Sequence, residues 1–334
     1  MRFWSGLAGV AVCAAFVSGV SGDVFNMPVG LTSLEFVEVG NPGNGADTTG
    51  FGAVGYTYNI GKYEVTAGQY TEFLNAVAAT DTHGLYYYKM ADINSESVGI
   101  VRNGSSGSFT YEVAPGCANR PVHFVSFWDA ARFCNWLHNG QGGPETTESG
   151  AYINIGDQAT FARQAGAKFF IPSEDEWYKA AYYKGGGTDT GYWLYPTQSD
   201  TDPGRDLNDI SGNNANYKGD PYPIQSPYKT TVVGEFQDSG SAYGTFDQGG
   251  NVWEWNEAVV SSSRGLRGGS FAHSLFNVES NFRFDHPATG YDSLREYRSV
   301  GFRVASAAPV PEPASLAIWA CGGLGALVLR RRRR

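Results

Sequence analysis

Gly249-Gly250-Asn251-Val252-Trp253-Glu254-Trp255 decides how this chain folds: a glycine-led turn opens onto two tryptophans with a carboxylate between them. Downstream lie Leu266-Arg267-Gly268-Gly269-Ser270-Phe271 and Gly301-Phe302-Arg303-Val304. Upstream, Gly61-Lys62-Tyr63-Glu64-Val65-Thr66 leads to Tyr70 and Phe73, and Pro121-Val122 precedes Val125-Ser126-Phe127-Trp128-Asp129-Ala130. Cys134-Asn135-Trp136-Leu137 and Ile171-Pro172-Ser173-Glu174-Asp175-Glu176-Trp177 follow. The 334 residues include 44 glycines and 14% aromatics, with no internal repeat. That composition predicts many turns packed around large rings rather than long helices.

Three helices are marked by their first turns. Thr66-Ala67-Gly68-Gln69, Ser126-Phe127-Trp128-Asp129 and Ser173-Glu174-Asp175-Glu176 each match a capping box or its Asp variant ahead of an amphipathic run. Helical spacing puts Tyr70, Phe73, Leu74 and Val77 on one face, and Ala130, Phe133, Cys134 and Leu137 on another. The third run continues through Trp177, Ala180 and Ala181 to the glycines at 185–187. Strands are expected at Tyr56–Tyr63, Lys168–Ile171, Thr230–Val233 and Gly301–Val304. Between them Gly185–Tyr228 reads as a long irregular loop, of the kind that carries a site or is pinned by ions.

In this order the motifs resemble the formylglycine-generating enzymes, or sulfatase-modifying factors, over nearly all of the region from Glu35 to Val304. The resemblance implies an α+β fold, a decorated relative of the C-type lectin fold with little regular secondary structure. Fold alone does not fix function. In the family's oxidases, two cysteines shortly after the Gly-Gly-Ser turn bind copper, soft thiolates being suited to Cu(I). The matching positions here are His273 and Val278, and no cysteine lies between Ser270 and Ala305. Copper and formylglycine generation by that mechanism are therefore not expected. The leading reading is a non-oxidase member that binds an extracellular protein or polysaccharide. The alternative is an enzyme with altered chemistry, centred on His273, Arg267, Ser270 and Arg283 in the former active-site groove. A metal at His273 would need a second ligand, for which His286 with Asp285 and Glu279 is nearest in sequence; a surface or hydrogen-bonded histidine is the plainer reading. The His-x-x-x-His-x-Glu iron motif of related sulfoxide-forming enzymes is absent.

The resemblance also implies calcium at Asp247, Gly250, Val252 and Glu254, where two carboxylates and backbone carbonyls would suit a hard cation. The plainer reading has Glu254 in a buried ion pair. A second calcium would use Asn216 and Tyr217, with further ligands within Gln225–Tyr228 and no obvious carboxylate. The acidic loop Asp200–Asp209 matches no EF-hand and reads as solvated. Tyr86-Tyr87-Tyr88 and Tyr192-Trp193-Tyr195 are either sugar-stacking surfaces or core.

The two ends predict export. Arg2, the apolar Leu7–Val17 and Val20-Ser21-Gly22 read as a signal peptide over residues 1–22, cut by signal peptidase. Pro311-Glu312-Pro313, the apolar Ala314–Leu329 and Arg330–Arg334 resemble a PEP-CTERM sorting tail, read by an exosortase. Its 16 apolar residues span about 24 Å as a helix, reaching across a core of about 30 Å if the arginines snorkel. The arginines then stay cytoplasmic and the main domain, residues 23–304, lies outside behind a linker at 305–313. About 290 residues remain between the signals, enough for one large domain with a real core. Setting aside Arg2 and the five terminal arginines leaves 18 basic against 33 acidic residues, a net charge of −15. Such a surface excludes nucleic acid and anionic membranes as natural partners.

Only Cys117 and Cys134 remain in that region. Outside the cell they could form a disulfide, stabilising by about 3 kcal/mol, or stay as two buried thiols. The family would pair Cys134 with the position now held by Val304, which leaves Cys117 as its remaining intrachain option.

Overall fold

All three capping boxes form in the computed structural model, which describes residues 33–93, 98–288 and 298–307. Helix α1 spans Ala67–Val77, α2 Phe127–His138 and α3 Glu174–Tyr182. At each start the cap hydroxyl accepts the N–H three residues on, and that residue's side chain accepts the cap N–H. The predicted apolar faces meet. Phe73 of α1 packs at 5.3 Å on Phe133 of α2, and Phe133 packs at 5.3 Å on Phe302. All three rings are fully buried, so the Gly-Phe-Arg motif joins the helix pair to the core.

The strands are shorter than the sequence suggests. Strand β1, Phe36–Val39, pairs antiparallel with β2, Tyr58–Gly61, which is all that forms of the expected Tyr56–Tyr63 strand. Two small ladders follow: β3, Ile100–Asn103, with β4, Thr110–Val113, and β5, Tyr152–Ile153, with β6, Ala162–Arg163. The main sheet is built from β7, Trp253–Val260, β8, Ser263–Arg267, β9, Phe284–Pro287, and β10, Val300–Gly301, in the order β10-β7-β8-β9. Strand β10 runs parallel to β7, and β8 is antiparallel to both of its neighbours. A register shift between Trp255 and Val259 bends β7. Finally β11, Ala305–Ser306, pairs with β2 and so belongs to the domain, not to the expected linker.

Two expected strands are absent from the described structure. Lys168–Ile171 makes a single bridge, Phe170 to Ala305. Thr230–Val233 satisfies its backbone elsewhere: Thr231 N–H donates to the Asn251 side chain, and Val233 N–H to the Asn119 carbonyl. The long loop 185–228 is irregular, as read, and is tied down by isolated bridges such as Asn216 to Gly250. Gly250 is required there. Its φ is +90°, and a Cβ would fall 2.4 Å from the Asn216 carbonyl oxygen.

The expected disulfide is not formed. Cys134 faces the core from α2, whereas Cys117 lies beneath Gly99, where a Cβ would meet its sulfur at 2.6 Å. Both are free, buried thiols, and burial raises the pKa of each. Among the described residues no helix is long and apolar enough to cross a membrane. The signal peptide, the Pro311-Glu312-Pro313 motif and the tail lie outside the described residues.

Candidate functional site

Two centres are built around the decisive motifs, one closed and one open. In the closed centre, Glu254 enters from β7 and Arg303 from the stretch after β10. Arg303 Nε donates to Glu254 Oε2 at 2.5 Å and Nη2 to Oε1 at 2.6 Å. Trp177 Nε1 also donates to Oε2, at 2.7 Å. The guanidinium finishes its set on the carbonyls of Gly61 and Phe246. Both charged side chains are fully buried. Glu64 stands beside them and accepts from Asn251 Nδ2 at 2.9 Å and the Val252 N–H at 3.2 Å. Burial, then the fields of Asp247 and Glu254, push the Glu64 carboxyl well above its ordinary range. Burial likewise raises Asp247 to about 6. One arginine thus faces three carboxylates.

The residues predicted to hold calcium are distributed through this centre. Glu254 is committed to Arg303 and Trp177, the ion pair that was the plainer reading of it. Asp247 keeps one bond, from the Gly234 N–H at 2.6 Å. The N–H groups of Val252 and Gly250 donate to Glu64 and to the Gly268 carbonyl, which leaves aside the carbonyls a cation would use. For the second site, the Asn216 carbonyl accepts from Asn251 N–H and the Tyr217 carbonyl from Arg205 Nε. Among the described residues no group of three His, Cys, Asp or Glu side chains is placed to hold a metal. Of the two predicted carboxylates, Glu254 is thus held in an ion pair and Asp247 by a single hydrogen bond. What invites a cation is the excess of buried negative charge, with Asp247 its least committed side chain.

The four candidate catalytic residues separate into two pairs. Arg267 and Arg283 converge on Glu174: Arg267 Nε donates to Oε1 at 2.9 Å, and Arg283 donates through Nε at 2.8 Å and Nη2 at 2.6 Å. Arg267 also holds the carbonyls of Ser280 and Phe282 and is 1% exposed, so it braces the loop after β8. His273 and Ser270 do come together, in the open centre.

Ser270 Oγ lies 2.7 Å from His273 Nδ1, and Trp253 Nε1 donates to the same nitrogen at 3.1 Å. An indole N–H only donates, so Nδ1 is an acceptor and the ring proton resides on Nε2. Burial, then the cations Arg298 and Lys218, lower the His273 pKa and keep the ring neutral. Ser270 is fully buried, and its Oγ accepts the Ala272 N–H and so helps to shape the turn. Around the imidazole, Trp253 packs on Phe282 and Phe284 at 5.9 and 5.6 Å, and Phe276 on Phe282 at 5.1 Å. Phe276 and Phe284 are 56% and 37% exposed. The long loop closes one side, with Lys218 N–H donating to the His273 carbonyl. Among the described residues the result is an open cluster of rings beside an imidazole N–H and two cations.

Neither histidine forms a metal pair: His286, on β9, is buried and faces Trp255. The acidic loop caps its own turns, Asp206 and Asp209 accepting the N–H groups of Asn208 and Ser211. Tyr192 and Tyr195 are consumed by packing and hydrogen bonds, and of the tyrosine run only Tyr88 is well exposed. Sequence reading found His273 by its position after Gly-Gly-Ser but missed Lys218, Trp253, Phe276, Phe282, Phe284 and Arg298. The alternating Phe282-Arg283-Phe284 was the available signal of a strand presenting rings on one face.

Known structures share this architecture. Treponema denticola variable protein 1 superposes with a TM-score of 0.52 at 22% identity, covering 84% of this chain and 98% of that one. The crystal structure of CarF superposes with a TM-score of 0.54 at 19% identity, covering 83% and 99%. These likenesses concern the fold. No curated protein matches the sequence. Residues 49–308 match the sulfatase-modifying factor enzyme 1-like domain, and the protein belongs to that family.

Proposed function

We propose that this is an exported, surface-held member of the family that binds an extracellular protein or polysaccharide through the open centre, without formylglycine-forming oxidation. One observation carries the reading. Where the family's oxidases place two thiolates, this chain has His273, whose Nδ1 is committed to Trp253 and Ser270, and Val278, which is fully buried. Neither offers a soft ligand for Cu(I). What remains is a surface of exposed rings, the form that binding hot spots commonly take. Export rests on the leader and the sorting tail, whose handling falls to signal peptidase and an exosortase. The rival enzymatic reading loses support because Arg267 and Arg283 are spent on Glu174. Calcium, in this reading, is a stabiliser drawn to the excess charge around Asp247.

The test is a panel of extracellular glycans and proteins titrated against the immobilised full chain, with Phe276→Ala/Phe284→Ala alongside. Saturable binding that weakens in the double variant is the expected result. Absence of any saturable ligand would overturn the proposal.

A further inference from the structure

The open centre reverses the electrostatics of the rest of the molecule. The region between the two signals carries a net charge of −15, yet the groups around His273 are cations. Lys218 is exposed and its N–H holds the His273 carbonyl. Arg298 is exposed and precedes Ser299, whose carbonyl accepts the Trp253 N–H. Arg205 is half-buried and holds the Tyr217 carbonyl through Nε; its Nη1 and Nη2 are buried and without a hydrogen-bond partner, so they do not face outward. Those two nitrogens face the turn at Gly219, where a Cβ would come within 2.8 Å of Nη1. Asp220, on that turn, is the carboxylate whose field reaches Arg205. Among the described residues none of the three cations is ion-paired. By contrast Arg132, Arg163, Arg267, Arg283 and Arg303 all are.

Exposed cations without a carboxylate partner give a local positive field that attracts an anion. Lys218 and Arg298 act on His273, which packs on Trp253, and Trp253 in turn packs on Phe282 and on the exposed ring of Phe284, with exposed Phe276 against Phe282. A peptide usually anchors side chains in pockets or adds a strand to a sheet edge. A sugar ring instead lays an apolar face on an aromatic ring while its substituents reach outward. Resting on the binding reading above, we infer that the ligand is an acidic polysaccharide. Its sugar rings stack on Phe276 and Phe284, and its carboxylates are met by Lys218 and Arg298. The Nε2 proton of His273 donates to a ligand oxygen.

Calorimetric titration of the full chain in detergent micelles tests this, with polygalacturonate as the acidic glycan, dextran as the neutral one and polyglutamate as the acidic peptide. Polygalacturonate is expected to bind saturably and to weaken as salt rises. The Lys218→Gln/Arg298→Gln variant should bind it about tenfold more weakly through loss of charge-assisted contacts, with its melting temperature unchanged. Phe284→Ala should also weaken it, whereas dextran should bind poorly to every form. Dextran binding as well as polygalacturonate, unaffected by the charge variant, would overturn the anionic assignment and leave the binding reading intact. Polyglutamate binding as tightly would replace the glycan with an acidic peptide. No saturable binding by any of these, or by the wider panel, would overturn both.

Discussion

The Glu254–Arg303 centre and the His273 centre meet β7 at consecutive residues, Glu254 and Trp253, and they treat charge in opposite ways. At Glu254 every oxygen is met by a fixed donor and no solvent reaches the pair. At Trp253, on the opposite face of the strand, the indole orients an imidazole whose surroundings keep exposed rings and unpaired cations. Alternation of side chains across a strand sends Glu254 into the knot and Trp253, itself buried, toward the ring cluster beside His273. The family motif spells the knot. The residues between motifs make the surface, which is how a chain can keep this fold and change what it does.

The largest effect should come from opening the knot. Arg303→Met leaves Glu254 buried without its partner, a loss of about 3–5 kcal/mol, so urea denaturation should find this variant largely unfolded. A stable, cooperative Arg303→Met protein would mean that the pair is not the keystone.

Next comes the uncompensated charge beside it. Asp247 titrates at about 6 in the folded protein against an ordinary 3.8. A raised carboxyl contributes stability that is complete below its unfolded value and is lost as pH rises through its folded value. The melting temperature should therefore fall from about pH 4 to about pH 7, and Asp247→Asn should flatten that slope. Asp129, also raised to about 6, and Glu64, pushed well above its ordinary range by burial, leave a residual slope. Added calcium should raise the melting temperature at neutral pH in the parent and not in Asp247→Asn. An identical pH slope in both proteins would show that Asp247 is not the group responsible.

Smaller still is the cap of α3. Ser173→Ala removes the acceptor of the Glu176 N–H and should cost about 1 kcal/mol. The smallest effect belongs to the surface: Lys218→Gln should change stability by no more than about 0.5 kcal/mol. If it destabilised as much as Ser173→Ala, Lys218 would belong to the structural half of the comparison.

What was legible in the sequence follows the range of the interactions involved. The capping boxes at Thr66, Ser126 and Ser173 were readable because each closes within three residues. The β7–β8 hairpin was not, since Trp253–Asn256 is buried on both faces and shows no alternation. The expected strand at Thr230–Val233 failed because Asn251 and Asn119, distant in sequence, took its backbone groups. Glu254 looked like a cation ligand because nothing near it in sequence reveals that Arg303, 49 residues on, closes over it. His273 was found through its motif position, but its protonation state depends on Trp253, and its setting on a lysine from the long loop.

The most direct test of the central claim is to incubate the purified full chain with Cu(I), oxygen and a cysteine-containing substrate peptide of the family's oxidases, and to follow the peptide by mass spectrometry. Lacking a thiolate pair at positions 273 and 278, the protein should leave the cysteine unconverted. Aldehyde formed in molar excess over the protein would contradict the account.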